Sequence, residues 1–185
     1  SYAFSDPHDI AFLRGISTVC EENGTNIVLI PLQNPALSNY EALGAMVDGY
    51  ILNAPYKSNP TTQHALSKGL PAVVVDFEDA DHISVLVNDK SAMLEVMNHV
   101  LSLGHQYIGV ITFPLSVGSS DLFALNKKLD SDNYVATQRI EGCREALESS
   151  GVDPSGVLVR EAANSETGGA QEAEQLLALN PRITA

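Results

Sequence analysis

Val85–Pro114 reads VLVNDKSAMLEVMNHVLSLGHQYIGVITFP, and its pattern is strand, turn, helix, glycine stop, strand. Val85 to Val87 is a short apolar run. Asp89 can accept from the open N–H groups of the turn that follows and so cap a helix. Met93, Val96, Met97, Val100 and Leu101 then recur at helical spacing on one face. Gly104 stands where a helix C-terminus needs a left-handed residue. Tyr107 to Phe113 is nearly all apolar, as in a strand covered on both faces. Pro114 ends it, because proline cannot donate to a sheet ladder.

The same alternation extends outward. Asp6 and Pro7 suit the cap and first position of a helix whose face is Ile10, Leu13, Ile16 and Cys20, with Asn23-Gly24 as its stop. Asn26 to Leu32 reads as a buried strand, Ser38 to Met46 as a short helix and Val47 to Asn53 as a strand. Pro60 to Lys68 is helical, and PAVVVDF from Pro71 to Phe77 is a strand ending in an acid. Leu115 to Asn133 is polar, with a short helical turn around Leu122 to Lys127. A connection of that length is commonly functional or mobile, and a flap over a cleft is expected. Tyr134 to Ser150 is a helix in which Gly142 allows close approach. Val157 to Glu161 is a strand, Ser165 caps a last helix, and Ile183 to Ala185 begins another strand. Strands alternating with helices call for parallel sheets. Ligands of such sheets sit past the carboxyl ends of the strands. One rim is therefore expected to hold Asn53 to Tyr56, Asp76-Phe77, Phe113 and the start of the first helix.

The 185 residues are 44% hydrophobic and 18% charged, with a formal charge of −13 from 23 acidic and 10 basic residues. A nucleic-acid surface normally carries a basic cluster, and Lys127-Lys128 is the nearest approach to one. This chain by itself is not expected to bind DNA. Its two cysteines, Cys20 and Cys143, sit among apolar neighbours without metal-ligand spacing and read as buried thiols of a reducing compartment. No apolar run is long enough to span a membrane. Dinucleotide, P-loop, zinc-protease and nucleophile-elbow motifs are missing, so no catalytic residue, cofactor or metal is assigned. Asp79, Asp81 and His82 read as a solvated turn.

Several fragments together resemble the LacI/GalR family of bacterial transcription regulators. Asn88-Asp89 is followed by a helix ending His99-Val100-Leu101-Ser102-Leu103-Gly104-His105 and then by Ile108-Gly109-Val110-Ile111. Val47-Asp48-Gly49-Tyr50-Ile51-Leu52, Asp6-Pro7 through Ile16, and Arg139-Ile140-Glu141-Gly142 follow the family's order. The resemblance implies the periplasmic-binding-protein-like (type I) fold, an α/β architecture of three-layer α/β/α lobes with parallel sheets. It places an N-terminal effector-binding lobe at 1–114 and the start of an incomplete C-terminal lobe at 115–185. It implies a cytoplasmic homodimer that binds a sugar-like effector between its lobes. Operator DNA would be reached only through a helix-turn-helix domain that lies outside this sequence. A solute-binding protein of a sugar transporter is the alternative use of the same fold.

The resemblance also nominates site residues. Arg139 matches an arginine that reaches into the cleft, where a planar guanidinium grips paired oxygens; otherwise it is a surface residue of a helix's first turn. Asp76 can accept from sugar hydroxyls and Phe77 can pack on a sugar face, or the two are a turn aspartate and a packing phenylalanine. His8 and Asp9 stand where relatives face the effector, and a polar pair there favours a polar ligand; Asp9 also suits a helix start without any ligand. Tyr56 follows a strand end at the same rim, though loop tyrosines are common. His99 and His105 read as packing or capping residues.

Overall fold

The computed structural model describes residues 6–30 and 47–185. The chain divides into two units, Ser1–Met46 and Val47–Ala185.

In the first unit, α1 spans Pro7–Asn23. Its start and stop are those expected. The Asp6 carboxylate accepts from the His8 N–H at 2.8 Å, and Gly24 closes the helix with φ of 64°. The buried strand expected over 26–32 is not formed among the described residues. A strand needs a neighbour to satisfy its backbone groups. No described residue supplies one to 26–30, and Ile27, Val28 and Leu29 are exposed. Residues 31 and 32, the expected helix over 38–46 and the Ser1–Ser5 segment lie outside the described residues.

The second unit contains two sheets. In the first, β1 (Tyr50–Asn53), β2 (Ala72–Val75) and β3 (Ile83–Val85) run parallel in that order. Helix α2 (Pro60–Ser67) links β1 to β2. Asn59 caps it, its side chain accepting from the Thr61 and Thr62 N–H groups. Leu52 and Val74, paired in register, are buried, as are Ala65 and Thr62 of α2. Parallel β2 and β3 are joined by residues 76–82 alone. So short a link suffices because a three-residue strand is only about 10 Å long. The turn is made by Asp79, whose Oδ1 accepts from the Asp81 N–H at 2.8 Å and meets His82 Nδ1 at 3.0 Å.

The second sheet has the order β4 (Gly109–Thr112), β6 (Leu158–Glu161), β5 (Leu122–Ala124). β4 and β6 are parallel, and β5 runs antiparallel to β6. β5 replaces the helical turn expected at 122–127: Phe123 is buried in strand register opposite Val159. Helices α3 (Asp89–Ser102) and α4 (Tyr134–Ser149) pack together over this sheet. Their core includes Met97, Ile108, Phe123, Ile140, Cys143, Leu147 and Val159. Val96, expected on the buried face of α3, is 55% exposed instead. Helix α5 (Glu166–Leu179), capped by Ser165, lies against β4 and β6, so this lobe has three layers. At its open edge, the Thr184 N–H donates to Tyr107 O and the Gly109 N–H to Ala185 O, each at 2.9 Å. These contacts agree with an edge segment at Ile183–Ala185.

Sheet membership does not follow the expected division at 114/115. β4 pairs with β6, and α3 packs on α4, so both go with the second sheet. Nor is 115–133 a free flap. Buried Glu161 accepts from the Leu115 N–H at 3.0 Å and the Asp121 N–H at 2.8 Å. Arg144 donates to Leu125 O and Lys127 O from below.

Gly142 is a point of close approach between α3 and α4. A Cβ there would stand 2.3 Å from Lys90 O and 3.0 Å from Leu94 N, both backbone atoms. Neighbouring Cys143 is buried, and loss of solvation pushes its thiol up to about 11. Gly142→Ala is expected to lower stability by about 1–3 kcal/mol, because the helices must separate to admit the methyl group. Urea denaturation checks this, and an unchanged midpoint would contradict the packing described.

Candidate functional site

The parallel strands of each sheet end on one edge, and the residues beyond those ends form its rim. On the first sheet, Ala54 follows β1 with φ of 41° and Asp76 follows β2 with φ of 54°. Left-handed backbone is uncommon for alanine and tolerated by aspartate. Each is held by a ladder-like bond: the Ala54 N–H donates to Val75 O at 2.9 Å, the Asp76 N–H to Val85 O at 3.0 Å. Two successive strand ends are thus bent the same way, a kind of strain that gathers at binding sites.

On the second sheet, α3 and α4 each precede a strand, so both helices begin at the carboxyl edge. Asn88, not Asp89, caps α3, its Oδ1 accepting from the Ser91 N–H at 3.1 Å. Asp89 becomes the first helical residue and is free of capping duty. Its carboxylate is buried and accepts from Arg139 Nε at 2.7 Å. An anion in a first turn is favoured by the helix dipole, and the guanidinium balances its charge. The Arg139 guanidinium carbon also lies 5.4 Å from the centre of the Phe113 ring. Burial is unequal, with 41% of the Arg139 side chain exposed against 9% for Asp89. One nitrogen is tied down and one face is stacked. Among the described residues the two terminal nitrogens carry no hydrogen bond, which leaves a paired donor edge open.

Of the expected site residues, Arg139 therefore lies at the second sheet's rim, and Asp76 and Tyr56 are half-buried at the first sheet's rim. Phe77 is 7% exposed and belongs to the core; it is a packing residue rather than a face offered to a ligand. His8, exposed, and Asp9, half-buried, stand in the first turn of α1 in the other unit. Sequence reasoning missed Asp89 as a partner of Arg139, and it missed Glu78 and Tyr134. No local pattern marks a pair 50 positions apart.

No protein-family model matches the chain. An HTH-type transcriptional regulator of Mycobacterium tuberculosis is 34% identical over 192 residues, covering all of this chain and 54% of the relative. A crystal structure of a LacI-family transcriptional regulator from Corynebacterium glutamicum superposes with a TM-score of 0.84 at 26% identity, over 99% of this chain and 56% of that one. Over its whole length the chain is similar to LacI-family transcriptional regulators. It spans about half the length of the relatives it matches. A second similar structure, the regulator CelR in complex with cellobiose, has a TM-score of 0.74 at 20% identity, covering 98% of this chain and 53% of that chain. The two-sheet arrangement is thus the LacI-type, periplasmic-binding-protein-like fold. No helix among the described residues is long and apolar enough to cross a membrane.

In this chain the two rims meet electrically at Tyr134, the first residue of α4. Burial raises its pKa above the ordinary 10.0, and the negative charges of Glu78 and then Asp89 raise it further. Glu78 follows β2 on the first sheet, whereas Asp89 packs with the second. Above about pH 10 an unfolded tyrosine loses its proton while folded Tyr134 keeps it. Its contribution to stability is complete below that pH and is lost as the pH rises through the folded value. Tyr134→Phe should therefore make stability fall less steeply above pH 10. Denaturation midpoints from pH 8 to 11 check this, and identical slopes would show that Tyr134 is not perturbed.

Proposed function

We propose that this chain is the effector-sensing core of a LacI-type regulator, taking a neutral, sugar-like molecule between the rims of its two sheets. The open edge of Arg139 is the observation that carries this reading. Two terminal nitrogens in a fixed plane suit vicinal hydroxyls. The charge of that arginine is already balanced by Asp89, and Glu78 adds a further negative charge nearby. An anionic sugar acid or sugar phosphate would enter against that balance, whereas an uncharged polyol would not. The cellobiose held by a similar fold supports the same class.

In the cytoplasmic homodimer this reading implies, ligand binding alters how the two lobes close and so how the partner subunits stand to each other. A helix-turn-helix domain outside this sequence would carry the change to operator DNA. A coupling of roughly 1–3 kcal/mol is enough for a several-fold to hundredfold change in operator affinity. It requires only that the ligand favour one lobe arrangement over the other.

A panel of neutral sugars, sugar acids and sugar phosphates, ranked by thermal shift and then by calorimetry, tests the reading. A neutral sugar is expected to bind tightest. Arg139→Ala should weaken it at least tenfold while leaving the far-ultraviolet circular dichroism unchanged. A sugar acid or phosphate as the tightest ligand, or an unchanged affinity in the variant, would refute it.

A further inference from the structure

Between residues 47 and 185 the chain passes from the first sheet to the second once, through residues 86–88 between β3 and α3. No helix or strand around one sheet packs broadly on an element of the other. Their mutual angle must therefore be set by a few contacts. One group of these is built on Asp132, just before α4. Its N–H donates to Leu115 O at 2.8 Å, which fixes it to the second sheet's layer. Its other polar groups turn to the loop between β1 and α2. Asp132 Oδ2 accepts from the Ser58 hydroxyl at 2.6 Å, and Asp132 O accepts from the Lys57 N–H at 3.2 Å.

Asp132 has no local reason to hold this position. The capping of α4 is done by Asn133, whose side chain accepts from the Ala136 N–H at 3.1 Å and donates to Pro114 O at the same distance. On the other side, α2 is capped by Asn59, which leaves Ser58 uncommitted. Two adjacent positions in each loop thus divide the work: one caps its own helix, and the other reaches across. Ser58 is exposed and Asp132 half-buried. Water can replace either partner, so the contact can open without stranding a buried charge.

We propose that Ser58 and Asp132 form a latch between the two lobes, made when their rims are drawn together and broken when they part. The latch biases the empty chain toward the closed arrangement. Its effect on effector affinity rests on the binding reading above, but its effect on lobe geometry does not. Because it joins the starts of α2 and α4, it acts on the same helix that carries Arg139 without touching that residue. Removing the Ser58 hydroxyl should shift the closed-to-open ratio by up to about tenfold, the range of a charge-assisted hydrogen bond.

Nitroxide labels at Ser67→Cys on α2 and Glu148→Cys on α4, in a Cys20→Ser background, report the separation of the lobes by pulsed electron resonance. The 185-residue chain is measured without any ligand, so the outcome is independent of what it binds. Ser58→Ala is expected to broaden the distance distribution toward longer values. Ser58→Thr, which keeps a hydroxyl, is expected to retain the narrow one. A Ser58→Ala distribution that matches the parent chain would overturn the proposal. So would an equal broadening in both variants, since the hydroxyl would then not be the cause.

Discussion

Helices α3 and α4 can lie as close as they do only because residue 142 has no side chain. A methyl group there would stand well inside van der Waals contact with the α3 backbone. That close approach places the first turn of α3 beside the second turn of α4. Asp89 and Arg139 can then meet at 2.7 Å, with Phe113 under the guanidinium. The ion pair does not hold the helices together; burial of Met97, Ile140, Cys143 and Leu147 does that. The pair follows from the packing, and it fixes the direction of Arg139, whose donor edge stays open at the rim.

The acidity of the chain takes on a local meaning in this frame. The sequence carries a formal net charge of −13. At the rim, by contrast, Glu78 and Asp89 both bear on Tyr134, and Asp89 is itself paired with Arg139. The proposed site, with one balanced cation and nearby carboxylates, would select by hydroxyl geometry more than by charge. It also needs little reorganisation on binding, since Arg139 is already oriented. Recognition of this kind suits a sensor, and the similar proteins are regulators.

Much of this was legible in the sequence where the cause is local. Asp6-Pro7, Gly24, Gly104 and Ser165 mark helix ends through backbone chemistry that acts over three or four residues. The close approach at Gly142 was legible because a glycine inside a helical pattern needs a reason. Arg139 was found by resemblance, and its partner was not, since Asp89 also fits a cap and Asn88 beside it took that role. The antiparallel strand β5 was missed because its three residues take their conformation from β6, 30 or more positions away. Glu161 looked like an ordinary strand end. Its burial depends on two amides of a loop that the sequence leaves unplaced.

A crystal of the chain grown with its tightest-binding neutral sugar decides where the ligand sits. The expected result is density between the carboxyl edges of the two sheets, with sugar hydroxyls on the terminal nitrogens of Arg139 and the Asp89 pair intact. Density elsewhere, with that edge of Arg139 still facing solvent, would contradict it.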